Sequence, residues 1–289
     1  MNDVRVSLPR PYLVTSLSIL VLAVLATTVG LFVEGFYHDA AVLLPQVYGQ
    51  DVLTLVVAVP AFALSVRAAI RGSLRGYVVW LGMTGYLCYT YASYAFMTAF
   101  NELFLVYVAL FSLTLITLVG GLVHLDPAVL TQSIGDRSVR PYVGFHLLVA
   151  ILISGLWLSD ILSATVAGVV PESIVAANLP TNVIYALDLG VVVPAFALTA
   201  YWLSQRRPWG YVFTGILLVK GTTLGLAVLA MIAFMVRDGQ PVALPQVVIF
   251  AVLSLLGLVL VVRFLRAIEP TSVARRDTAE SMTSRGDPR

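Results

Sequence analysis

Charged side chains are scarce in this sequence: they make up 11% of its 289 residues, whereas a soluble domain carries about a quarter. Hydrophobic residues make up 60% of the chain. Apolar runs of about twenty residues recur from end to end, and this is the length that crosses hydrocarbon as an α-helix. No segment is long and polar enough to fold as a separate soluble domain. The composition therefore predicts an all-α, multi-pass membrane protein.

Cysteine, lysine and histidine are nearly absent. The single cysteine, Cys88, excludes an intrachain disulfide and is predicted to be a small packing residue. The three histidines are too few and too scattered to predict a haem or metal site, and no cofactor is predicted. Motifs for nucleotide hydrolysis, zinc proteases and α/β-hydrolases are missing. These absences favour a binding or transport protein over an enzyme.

The apolar runs predict eight transmembrane spans. The first is too long for the apolar core of a cleaved signal peptide, so it is expected to be retained. The predicted spans cover roughly residues 12–35, 50–71, 76–99, 102–124, 141–165, 183–204, 209–235 and 245–267.

The arginines predict the orientation of these spans. Of the 17 basic residues, all but Lys220 are arginine, and among the arginines only Arg237 falls on the side opposite to the rest. By the positive-inside rule, both termini are cytoplasmic in a protein of the cell membrane. The arginines are thus interpreted as orientation signals and lipid-headgroup contacts, with no nucleic acid as partner. Residues 1–10 form a short cytoplasmic tail in this scheme, and the polar tail 269–289 is predicted to be disordered.

One proline-centred segment occurs twice. The letters "VAVPAFAL" at 57–64 return as "VVVPAFAL" at 191–198, and "GYV" at 76–78 returns at 210–212 with the same spacing of 134 residues. A fixed spacing shared by separate segments indicates an internal duplication.

The duplication predicts two four-helix repeats, 11–126 and 141–268, joined by a cytoplasmic linker at 127–140. Four spans is an even number, so both halves enter and leave the membrane on the same side and form a parallel repeat. In membrane proteins built this way, binding sites tend to lie near the midplane between the halves.

Pro60 and Pro194 lie at corresponding positions near the middle of their spans. A proline inside a helix removes one amide donor and kinks the helix, which would free the carbonyls of Val56 and Gly190. One interpretation is a structural kink that improves packing. The other is that Pro60, Pro194 and Gly190 line a cavity between the halves.

Lys220, the only lysine, is predicted near the bilayer centre. A lysine at this depth is a functional-site hypothesis, and Asp188 in the preceding span is its nearest candidate partner. The pair is interpreted either as a buried structural ion pair or as a working ligand site. A retinal-type Schiff base on Lys220 is disfavoured by the eight spans and the duplication.

Tyr86 occupies the position of Lys220 in the first half. Tyr86, Tyr89 and Tyr94 share one face of their helix by spacing. This face is interpreted either as aromatic packing or as cavity lining, because a tyrosine hydroxyl in hydrocarbon needs a partner.

Acidic residues concentrate toward the outer ends of the spans. This distribution predicts an outer vestibule that attracts cations, although a plain solvated acidic surface gives the same pattern. The candidate vestibule residues are Glu34, Asp51, Asn101, Glu102 and Asp160.

The run "FNELFLVYVAL" at 100–110, after an aromatic-rich span, resembles that of an uncharacterised family of prokaryotic multi-span integral membrane proteins. The resemblance extends over most of the chain, implies the same multi-span topology, and implies no activity.

The sequence thus favours a protein that binds or transports a small cationic, zwitterionic or proton-coupled solute in a cavity between its halves. Two alternatives stay open: a membrane enzyme or sensor for a lipid-like or quinone-like molecule, and a non-catalytic membrane assembly partner. Whether the chain forms a homo-oligomer is also left open.

Overall fold

The computed structural model describes residues 8–135 and 137–268, and within these ranges it is helical with no β-strand. The predictions for residues 1–7 and 269–289 lie outside the described residues. Two π-helical segments, Thr54–Ala58 and Asp188–Val192, join α2 to α3 and α9 to α10. The α-helices are α1 (Arg10–Phe32), α2 (Leu44–Leu53), α3 (Val59–Ile70), α4 (Leu74–Met97), α5 (Phe104–His124), α6 (Pro127–Ile134), α7 (Arg140–Ala167), α8 (Glu172–Ala176), α9 (Val183–Leu187), α10 (Val193–Ser204), α11 (Pro208–Arg237) and α12 (Leu244–Ala267).

Within the described ranges, 7 helical segments are long and apolar enough to cross a membrane: α1, α2–α3, α5, α7, α9–α10, α11 and α12. Each matches one of the predicted spans. The chain is therefore a polytopic helical membrane protein. Helix α4, where the remaining span was predicted, has 24 residues but is richer in tyrosine and deeply buried.

Most helix starts follow the local sequence. Proline suits a first helical turn because that turn needs no amide donor, and α2 and α12 begin at Leu44-Pro45 and Leu244-Pro245. Leu179-Pro180, by contrast, does not begin a helix. Helix α9 begins later, at Val183, because the Asn182 side chain accepts the amide of Ile184 at 2.9 Å and caps the helix there.

The predicted linker 127–140 contains a helix. Asp126 caps α6 by accepting the Ala128 amide at 2.9 Å, and Leu130 and Ile134 are buried. Helix α6 packs against α11, so this segment belongs to the core of the fold.

Helices α4 and α11 pack against each other at the centre. Their close approach depends on glycine: a Cβ at Gly82 would lie 2.5 Å from Cβ of Val219. A Cβ at Gly49 of α2 would lie 2.5 Å from Cα of Met231 of α11. Helices α3 and α5 flank α4, α10 and α12 flank α11, and α1 and α7 pack on the outside against α5 and α10.

The two π segments stand at the same place in each half. Each ends two residues before its proline, Pro60 or Pro194, and Thr54 and Asp188, at which they begin, are 134 residues apart. The amide of Val59 bonds to the carbonyl of Thr54, and that of Val193 to the carbonyl of Asp188. A π turn and a proline, the two usual causes of a helix kink, therefore stand together in each of these spans.

Candidate functional site: a cavity around Lys220

A cavity of about 410 Å³ opens into the half of the bundle away from most arginines. Helices α2 and α4 form one wall, and α7, the α9–α10 span, α11 and α12 form the others. It extends from Asp39 and Asn182, near the ends of the helices, down to Lys220 and Phe196 in mid-span. Most of its lining is apolar, and Asp39, Asp188 and Lys220 are its charged residues. Both halves of the chain therefore contribute to the cavity.

Lys220 lies at the deep end of this cavity. Its side chain is buried, and its Nζ lies 4.2 Å from the centre of the Tyr89 ring. Within the described residues, Nζ has no hydrogen-bond partner. A buried cation that contacts only the face of an aromatic ring lacks the hydrogen-bond acceptors that it would have in water, so an acceptor brought into the cavity would stabilise it.

Asp188 lies across Tyr89 from this lysine. Its Oδ1 accepts the Tyr89 hydroxyl at 2.8 Å, and its Oδ2 accepts the Trp157 indole N–H at 2.7 Å. The predicted partners thus line one cavity and interact electrostatically. They do not hydrogen-bond to each other: the oxygens of Asp188 accept from Tyr89 and Trp157, and Nζ of Lys220 has no hydrogen-bond partner within the described residues.

Two further polar atoms in the lining have no partner within the described residues: Oγ of Ser254 and Oδ2 of Asp39. Ser254 is buried on α12 beside Gly225. Asp39 lies in the loop before α2, where its Oδ1 accepts the amide of Ala99 at 2.9 Å. Partial burial raises the pKa of the Asp39 carboxyl above its ordinary value, because desolvation disfavours the charged form.

The predicted tyrosine face divides into two parts. Tyr89 and Tyr94 line the cavity, whereas Tyr86 lies behind its wall. The Tyr86 hydroxyl accepts an amide hydrogen of Gln50 at 2.7 Å and lies 3.0 Å from the Thr54 hydroxyl. Gln50, which does line the cavity, therefore separates Tyr86 from it.

Pro60, Pro194 and Gly190 lie outside the cavity lining, on the exposed surface of the bundle. The sequence-based interpretation placed them at the cavity because they interrupt corresponding spans of the two halves. Each π turn inserts one residue, which rotates the C-terminal part of the span by about 100° relative to an uninterrupted α-helix.

The predicted vestibule residues also lie outside the lining. Asp51 is buried behind it, where its carboxylate accepts the hydroxyls of Tyr37 at 2.5 Å and Tyr94 at 2.8 Å. The remaining four have local roles or face outward: the Asn101 side chain accepts the Leu103 amide, Asp160 accepts the Tyr185 hydroxyl, and Glu34 and Glu102 are exposed.

Three polar cavity residues were not singled out from the sequence: Gln50, Trp157 and Ser254. They come from three separate helices, and no motif or spacing links them to Lys220. Trp157 carried one usable signal, since an indole N–H inside an apolar span needs an acceptor and Asp188 is a nearby candidate.

Comparisons with known proteins found no relative of this chain. No family model, no curated protein and no solved structure matches this chain. The resemblance of residues 100–110 to a prokaryotic membrane-protein family therefore stays a prediction.

Proposed function

We propose that the chain has eight spans, with α4 as the additional one, arranged as a duplicated pair of four-helix units with both termini cytoplasmic. Equal spacing supports the duplication: the π segments, Pro60 and Pro194, and the starts of α4 and α11 are all offset by 134 residues. Helix α4 is buried by its neighbours, so it can cross the membrane with less apolar surface than the spans around it.

Glycine contacts at matching positions support the same proposal. A Cβ at Gly76 would lie 2.9 Å from the backbone of Ala68 and Ala69, and one at Gly210 would lie 2.5 Å from the backbone of Leu203. Ala69 and Leu203 are again 134 residues apart. Each half therefore closes its inner hairpin by the same helix contact, as expected of two copies of one unit.

The proposed activity is binding of a small amphipathic molecule in the cavity, with a hydrogen-bond-accepting or anionic group at Lys220 and an apolar body along the walls. The observation that carries this proposal is the Lys220 ammonium, which has no hydrogen-bond partner among the residues that the structure describes. The Ser254 hydroxyl offers a second donor in the same cavity. A zwitterion fits this arrangement, because Lys220 has no hydrogen-bond partner among the described residues and Asp188 lines the same cavity.

The position in the first half that corresponds to the Lys220 site differs from it, and the difference supports ligand binding at Lys220. The repeat partners of Lys220, Asp188 and Ile184 are Tyr86, Thr54 and Gln50. These three side chains fill the first-half site and hydrogen-bond to one another as neutral groups. In the second half the positions of Tyr86 and Thr54 carry opposite charges and border open space. The second-half site is therefore charged and open, whereas the first-half site is neutral and filled by side chains. This difference supports ligand binding in the second half.

Co-purification tests this function. The wild-type protein, purified in a mild detergent and extracted with organic solvent, should release an amphipathic compound bearing a carboxylate, phosphate or ketone, detected by mass spectrometry. Lys220→Met should lose that compound. Tyr86→Phe, which changes the filled first-half site, is the matched control and should retain it. Identical extracts from wild type and Lys220→Met would exclude the proposed role of Lys220.

A further inference from the structure

A second pocket, of about 380 Å³, enters the same four helices from the arginine-rich end. Its inner surface is formed by Tyr142 of α7, Leu203 of α10, Tyr211 of α11 and Phe264 of α12. Arg263 and Arg266 border it, and its lining contains no acidic residue among those that the structure describes. The cavity around Lys220 and this pocket therefore enter one helical unit from opposite ends.

A thin layer of side chains separates the two spaces. Phe196 lines the cavity and Leu203 lines the pocket; they are seven residues apart on α10, which is roughly 10 Å of helix. The layer consists largely of aromatic rings. His146 lies 5.3 Å from Phe196 and 6.2 Å from Phe145, and Tyr142 lies 5.6 Å from Phe264, between ring centres.

His146 is unusual in this layer. It is fully buried, and its Nδ1 lies 2.6 Å from the Tyr142 carbonyl oxygen. Its Nε2 has no partner within the described residues. A buried polar atom left without a partner marks a place where packing is incomplete or where another group can enter.

In the first half, large hydrogen-bonded side chains fill the level that corresponds to this layer. There the Trp80 indole donates to the Ser16 hydroxyl at 3.0 Å, and Trp80 is fully buried. By the repeat spacing, Thr214 replaces Trp80, and His146 replaces Ser16 in the helix that begins with the same Arg-Pro-Tyr letters. Because the threonine side chain is smaller than that of tryptophan, side chains occupy less volume at this level of the second half.

We propose that the two spaces are the ends of one path through the second four-helix unit, closed in this structure by Phe145, His146 and Phe196, and that it conducts an anionic solute. This proposal rests on the proposed function, since the solute is the ligand that binds at Lys220. Basic groups stand on both sides of the closed layer: Lys220 on its outer side, and Arg263 and Arg266 on the arginine-rich side. The donors around Asp188 stabilise the carboxylate that lies on the cavity side of the layer.

Side-specific thiol labelling tests the path without knowing the solute. A cysteine at Leu253, which lines the cavity, is placed in a Cys88→Ala background in sealed vesicles. The probes are membrane-impermeant methanethiosulfonates carrying either a sulfonate or a trimethylammonium group. Leu253→Cys should react only from the end opposite the arginines. Adding Phe196→Ala should produce reaction from the arginine-rich end as well, with the sulfonate reagent reacting faster than the ammonium reagent.

Phe62→Ala is the matched control, because Phe62 is the buried repeat partner of Phe196 and lines neither space. It should leave labelling confined to one side.

If Phe196→Ala does not fold, Phe145→Ala replaces it. Labelling that stays one-sided in both gate variants, or that Phe62→Ala opens equally, would overturn the path. Faster reaction of the ammonium reagent would overturn the anionic solute. Either result can occur while the co-purified ligand is retained, so failure of the path is separable from failure of the binding function.

Discussion

At the scale of single residues, the site depends on which buried polar atoms have partners. Asp188 has two aromatic donors, so its charge is stabilised by the protein itself. Lys220 lies against the face of Tyr89, interacts with Asp188 only electrostatically, and has no hydrogen-bond partner among the described residues. The two charges thus have unequal roles: Asp188 is held in place, and Lys220 is left for a ligand.

This difference predicts the effect of removing single hydroxyls from α4. Tyr89→Phe should lower the free energy of unfolding by about 1–3 kcal/mol, because the buried carboxylate of Asp188 loses a donor. Tyr91→Phe is the control on the same helix, since its hydroxyl is buried without a partner among the described residues, and stability should be unchanged or higher. Equilibrium unfolding in mixed micelles measures both. An equal loss for Tyr91→Phe would show that the Asp188 bond is not the cause.

At the scale of helices, the fold depends on glycines that let α2, α4 and α11 approach closely. At Gly49, Gly82 and Gly210, a side chain would enter the van der Waals space of a neighbouring helix. Dispersion contacts of this kind drive helix association in membranes, because lipid is as apolar as the side chains it replaces.

The helix contacts predict a contrast between two glycines. Gly49→Ala should lower the free energy of unfolding by about 1–3 kcal/mol, since its Cβ would meet the backbone of Met231 and neither helix can move cheaply. Gly155→Ala on α7 should cost nothing, because no atom lies within 4 Å of its Cβ position. Equilibrium unfolding of the two variants in mixed micelles provides the comparison. If both changes had the same small effect, the α2–α11 contact would be looser than described.

The helices were predictable from sequence to a large extent, because apolar run length and proline at the first turn act locally. The seven apolar spans and the starts of α2 and α12 followed from these signals. The sequence did not predict which face of the α2–α3 and α9–α10 spans points inward. The π segments change the helical period before Pro60 and Pro194, so both prolines face outward, contrary to one of the two interpretations offered for them.

At the scale of the whole molecule, the proposed duplication gives two halves with matching helices and different interiors. The first half is filled by large hydrogen-bonded side chains such as Trp80 and Tyr86. The second half carries Thr214 and Lys220 at these positions and contains open space. Sequence singled out Lys220, Asp188, Tyr89 and Tyr94 because polar groups in hydrocarbon are conspicuous. The place of Ser254 in the cavity could not be predicted, since it depends on tertiary packing of distant helices, whereas Trp157 was missed although its indole N–H needs an acceptor.

The most direct measurement uses the only lysine in the chain. A membrane-impermeant, amine-reactive acetylating ester is added to one side of sealed vesicles, and modification of Lys220 is read by peptide mass spectrometry, with the N-terminal amine as an internal marker of the side on which the N-terminus lies. A cavity that connects Lys220 to the end opposite the arginines predicts acetylation of Lys220 from the side opposite to the N-terminal amine. Acetylation of Lys220 only after unfolding, or from the same side as the N-terminal amine, would contradict a cavity open at that end.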